Sequence, residues 1–117
     1  MVDAMGNKNR GKALELYYDM IEVREPPMRI LYMLSRQFRM ILEAKELFKN
    51  GMDRKAIAEK LALAPFIVNK VLNQSEKFRR EDVKKALEEC LCVEEDIKNG
   101  RMEEKTGVEM ILIKYSA

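Results

Sequence analysis

Histidine and tryptophan are absent from this 117-residue chain, and proline (three), glycine (five) and cysteine (two) are scarce. Without histidine the chain lacks the commonest general base and the commonest metal ligand. Its five glycines compose neither a GxxxxGK[ST] phosphate loop nor a GxGxxG dinucleotide fingerprint. Gly6, Gly11, Gly51, Gly100 and Gly107 fall mostly at helix edges, where chain termination accounts for them. Two cysteines are too few for a disulfide framework. Cys90 and Cys92 stand two residues apart, so on a helix their side chains diverge and share neither a bridge nor a metal. They read as buried spectator thiols in a reducing compartment. No N-terminal stretch has the form of a secretion signal, and no run nears the roughly 20 apolar residues of a membrane span. Nothing proposes a reaction, a cofactor or a metal, and the expected location is the cytoplasm.

What is present is a single-domain composition: 47% apolar residues, with 22 basic against 20 acidic side chains leaving +2. That near-neutral balance is far from the lopsided charge of a dedicated nucleic-acid module. The periodicity predicts one all-α domain over 1–117, a compact bundle of about six helices with short connections. Asn7 is placed to cap a first helix to about Val23, with Ala13, Leu14, Tyr17, Met20 and Ile21 inward. Pro27 opens a long second helix to Lys49, in which Ile30, Leu31, Leu34, Phe38, Ile41, Leu42 and Phe48 line one side. Met33, Met40 and Leu47 widen that stripe, which suits a central helix packed on several sides. Asp53 caps a short third helix, about Arg54 to Leu61, and Pro65 starts a fourth, to about Phe78. A fifth spans Arg80 to Lys98, with Val83, Leu87, Cys90, Leu91 and Ile97 as its buried seam. Asn50-Gly51 and Asn99-Gly100 are helix stops. A last helix runs from about Met102 to Tyr115, with Val108, Ile111, Leu112 and Tyr115 inward. The carboxylate runs Glu88-Glu89, Glu94-Glu95-Asp96 and Glu103-Glu104 read as solvated faces.

Three constellations could bind something. Tyr32, Arg36, Arg39 and Glu43 recur along one line of the long helix, opposite its apolar stripe, and Tyr and Arg are the types enriched in interface hot spots. The plain alternative is a solvated face with an Arg39–Glu43 pair, worth ~0.3–0.5 kcal/mol. The segment AIAEKLALAPFIVNKVL, Ala56 to Leu72, has the outline of a helix-turn-helix. In a DNA reader Asn69, Lys70 and Asn73 would be its contacts. Its second helix opens on Pro65, Phe66, Ile67 and Val68, which suits packing against protein better than base edges. Lys77, Arg79, Arg80, Lys84 and Lys85 form a basic cluster, interleaved with Glu76, Glu81 and Asp82, that could touch phosphate or neutralise itself.

Taken together, VDAMGNKNRGKAL (Val2 to Leu14), EPPMRILYMLSRQFR (Glu25 to Arg39), IAEKLALAPFIVNKVL (Ile57 to Leu72) and DIKNGR (Asp96 to Arg101) resemble, in order and spacing, the C-terminal domain of the delta subunit of bacterial DNA polymerase III, part of the sliding-clamp loader. The resemblance covers essentially all 117 residues. It implies a clamp-loader collar-type helical domain that is not itself an enzyme, packing beside the C-terminal domains of the gamma/tau and delta-prime subunits in DNA replication. It implies too that two AAA+-type N-terminal domains of the family are missing here, and clamp binding with them. Tyr32, Arg36, Gln37 and Arg39 are then the expected protein contacts, and an uncovered collar surface would let two copies pair weakly. Two departures stand out. Arg79-Arg80 follow Phe78 where the family often has a capping serine, and Ala62 stands after Leu61 where glycine is common.

Overall fold

The computed structural model describes residues 1–116; Ala117 lies outside the described residues. Seven helices follow in order: α1 (Val2–Gly6), α2 (Arg10–Glu22), α3 (Pro27–Lys49), α4 (Arg54–Leu61), α5 (Pro65–Ser75), α6 (Arg80–Lys98) and α7 (Glu104–Lys114). No strand occurs among the described residues. The expected first helix is α2, and a short helix, α1, precedes it in a stretch the periodicity left unassigned. Asn7 ends α1, and the cap of α2 is Asn9, whose side chain accepts from the Lys12 N–H at 3.1 Å. The described residues therefore form seven helices, one more than the periodicity implied, and a left-handed Lys8 turns the chain from α1 into α2. The remaining boundaries agree with expectation except at three ends. The helix begun at Pro65 stops at Ser75, short of Phe78, and the last helix is trimmed at both ends to Glu104–Lys114.

Five helices end in one way. A left-handed residue follows the last turn, its N–H and the next one folding back onto two carbonyls. Those residues are Lys8, Arg24, Gly51, Ala62 and Gly100. At Ala62 the N–H donates to the Glu59 carbonyl, and that of Leu63 to the Ala58 carbonyl at 3.0 Å. At the other end Asp53 accepts from the Ala56 N–H at 2.8 Å. Pro27 and Pro65 each open a helix from its first turn. Arg79 gives α6 no side-chain cap, as the missing serine foretold.

α3 is the central rod, packing against α4, α5, α6 and α7. Ile30, Leu31, Leu34, Phe38 and Ile41 are all fully buried along it. α6 runs antiparallel beside it, since Glu46 near the end of α3 pairs with Arg80 at the start of α6, while Lys98 at the far end of α6 lies 5.9 Å above the Tyr32 ring. Phe78 meets Phe38 edge-on with centroids 6.1 Å apart. α7 closes the other side. Tyr17 of α2, with no exposed surface, donates its hydroxyl to the Lys105 carbonyl at 3.1 Å. α7 sits so close to α6 that a Cβ at Gly107 would lie 2.7 Å from Val93 Cγ1.

Three residues assigned inward do not go there. Phe48 is 51% exposed at the tip of α3, and Leu91 is 47% exposed on α6. Cys92 is exposed as well, so only Cys90 is a buried thiol. In each case the periodic stripe is wider than the neighbouring helices can cover. Phe48 stands at the rim of α3 beside Arg54 and Leu72, while Leu91 and Cys92 flank the buried Cys90 on either side.

Candidate functional site

The line predicted on the long helix is a real surface feature. Tyr32, Arg36, Arg39 and Glu43 are all exposed, while Leu31, Leu34, Phe38 and Ile41 on the opposite side are buried. Neither Arg36 nor Arg39 makes an ion pair among the described residues, so the anticipated Arg39–Glu43 pair does not form. Two unpaired guanidiniums on one helix face keep their full donor sets available.

Antiparallel packing gives that line a neighbour. Arg80, Lys84, Leu87, Leu91, Glu94 and Lys98 recur along one side of α6 at helical spacing. The two rows touch at both ends, through Arg80–Glu46 and through Lys98 over Tyr32. What lies between is a two-helix seam with half-buried Leu87 and exposed Leu91 on one side, and Arg36 and Arg39 on the other. Lys98 is held in place by Glu94 at 2.8 Å, whose hydrogen bond and charge push the ammonium pKa up. Leu91 was missed in the sequence because its spacing fits a buried seam; only the position of α3 leaves it outside.

Gln37 does not join this set. It turns toward α2 and lines a separate apolar groove of about 480 Å³ with Leu16, Met20, Val23 and Met33. A residue next to Arg36 points about 100° away from it on a helix, so adjacency in sequence separates them in space.

The helix-turn-helix outline exists as α4 and α5, with Asn69, Lys70 and Asn73 exposed. Asn69 already accepts from Arg54 Nη1 at 2.7 Å, which occupies its carbonyl with an intramolecular partner. Phe66 is 71% exposed at the start of α5, while Val68 faces inward as expected. Among the described residues no cluster of three or more histidine, cysteine, aspartate or glutamate side chains is arranged to hold a metal ion. The Cys90 thiol is pushed up to about 11 by burial, with neighbouring Ser35 pulling the other way. At neutral pH it is a thiol, and a poor nucleophile. Among the described residues no helix is long and apolar enough to cross a membrane.

The fold thus defines an all-helical domain whose chemistry-bearing side chains lie on its outer faces. Residues 1–115 match the family model described as DNA polymerase III delta subunit, C-terminal domain, and the chain belongs to that family. It is similar to DNA polymerase III subunit delta of Bacillus subtilis (strain 168), with 27% identity over 114 residues, covering 97% of this chain and 33% of that one. Among solved structures it resembles the Bacillus subtilis DNA clamp loader delta protein at a TM-score of 0.93 and 27% identity, covering 98% of this chain and 34% of the other. The chain spans about a third of the length of both relatives. The family indicated by the four sequence motifs is the one these likenesses return.

Proposed function

We propose that this domain is a non-catalytic assembly module of the clamp loader, packing beside the C-terminal domains of the gamma/tau and delta-prime subunits in a collar, in the cytoplasm. The contact face is the α3–α6 seam, with Tyr32, Arg36, Arg39 and Leu91 as its anchors. The observation that carries this reading is the pair of unpaired arginines beside an exposed leucine and an exposed tyrosine on two rigid, antiparallel helices. Tyr and Arg are the side chains in which hot spots are enriched, and Leu91 adds apolar area beside them. Family membership supplies the partner class. Gln37 lies off this face and contributes nothing to it, and clamp binding is not assigned to any residue here.

The test is light scattering on a sizing column, with the chain mixed in turn with gamma/tau and delta-prime collar domains from the same source. Arg36→Glu together with Arg39→Glu is expected to weaken the complex at least tenfold, since hot-spot truncations cost about 2 kcal/mol or more. Leu91→Ala should weaken it less, and Lys55→Glu on α4 should leave it unchanged. Undiminished binding by the double variant, with a native circular dichroism spectrum, would sink the assignment of this face. Self-association of the chain alone, abolished by the same double variant, would show two copies meeting through the seam.

A further inference from the structure

A cleft lies on the far side of α6 from that seam. It is an open cleft of about 770 Å³ where the end of α1, the α5–α6 turn, the flank of α6 and the end of α7 converge. Its walls carry Lys8, Lys77, Arg79, Lys85 and Lys114 against Asp82, Glu88 and Glu89. Two of the cations are spent locally, Arg79 on Asp82 at 3.4 Å and Lys114 on Glu89. Lys8, Lys77 and Lys85 make no ion pair among the described residues. The sequence holds Lys8 and Lys77 far apart; the fold brings them together. Gly6 packs so tightly on the α5–α6 turn that an added Cβ would stand 2.9 Å from the Phe78 ring and 3.0 Å from Lys77 Cβ. Lys8, in its left-handed turn two residues on, lines the same cleft as Lys77. Half-buried Phe78 and Tyr115 lie in the same cleft.

We infer that this cleft takes the phosphodiester backbone of a single nucleic-acid strand. All three free lysines are exposed, so a lone phosphate would gain little from any of them. A polyanion engages all three at once and releases condensed counterions, which makes such weak individual contacts add up. Two half-buried aromatic rings in the same cleft as the lysines suit bases better than the side chains of an acidic peptide.

Fluorescence anisotropy of a labelled 20-nucleotide oligothymidylate, titrated with the intact chain, tests this. With three lysines on the strand, log K against log salt should fall with a slope of about −2, so raising salt from 50 to 200 mM weakens binding about 20-fold. Lys8→Gln, Lys77→Gln and Lys85→Gln combined should weaken binding at least tenfold at 50 mM salt and flatten the slope. Equal numbers of neutralised lysines elsewhere (Lys49→Gln, Lys55→Gln and Lys60→Gln) should not. A third variant, Asn69→Ala with Lys70→Gln and Asn73→Ala, separates the cleft from the helix-turn-helix face. The proposal is overturned by absence of oligonucleotide binding, by equal weakening in the Lys49/Lys55/Lys60 set, or by loss confined to the α5 set. Equal competition by polyglutamate would also overturn it, as would displacement by inorganic phosphate at matched ionic strength. The first would reveal an acidic-peptide site and the second a simple anion site.

Discussion

Gly107 and Tyr17 show how much of this bundle rests on single side chains. A methyl group at Gly107 would meet Val93 Cγ1 at 2.7 Å, Met102 Sδ at 3.0 Å and Ile97 Cδ1 at 3.2 Å. Met102 can swing aside, but Val93 is β-branched and stiff on its helix. Gly107→Ala is therefore expected to lose about 1–2 kcal/mol despite alanine's better helix propensity, as overpacking outweighs it. Urea unfolding followed by circular dichroism would show the midpoint fall; a rise would mean α6 and α7 separate freely. Tyr17 has its phenol pushed up to about 12, chiefly by burial and then by the nearby Glu109 carboxylate. A phenol whose folded value exceeds its unfolded value of about 10 contributes stability that is complete below pH 10. That contribution is lost as the pH rises through 12. Tyr17→Phe should cost about 1 kcal/mol at neutral pH through the missing bond to Lys105. It should also lose less stability than the parent chain between pH 10 and 12. Identical alkaline profiles for the two chains would remove Tyr17 from the account, leaving Tyr115, also near 12, as the source.

At the scale of the element, helix endings are the informative feature. Five share one left-handed closure, yet only Gly51 and Gly100 announce it in the sequence. Lys8, Arg24 and Ala62 adopt the same backbone with a Cβ attached, at a cost of roughly 1 kcal/mol each. This is why the end of α1 carries no glycine signal, and why Asn7, which closes α1, looked like the cap of the helix that follows. It also explains the family's frequent glycine after the first leucine of the α4–α5 turn, the position held here by Ala62. Ala62→Gly should raise stability by about 0.5–1 kcal/mol, the relief of strain exceeding the added freedom of the unfolded chain. Thermal unfolding would register this as an increase in Tm of several degrees. No increase would mean that the turn already relaxes around the alanine.

Across the whole molecule, α3 makes the domain cooperative, because four other helices are built onto it. Cys90 reports on that unit from within, and Cys92, two residues along, from outside. A thiol reagent should label one cysteine quickly in the native protein. The second should react only at the rate of global opening, since Cys90 is both shielded and pushed up to about 11. Two fast thiols would show that α6 detaches on its own. The α3–α6 seam belongs to this scale too, since neither helix carries it alone.

Period and punctuation alone determined the all-helical class, the bounds of α3, α4 and α6, the Asp53 cap and most of the core, because apolar spacing and capping chemistry are local. The outward line Tyr32, Arg36, Arg39 was legible for the same reason. Tertiary structure decided what lies beside what. It put Leu91 and Phe48 outside, turned Gln37 toward α2, left Arg39 without Glu43, and set Lys8 and Lys77 in one cleft. Such outcomes depend on how far each helix is covered by its neighbours and on where left-handed turns redirect the chain. The first is a property of packing, and the second carries no signal when the turning residue is not glycine.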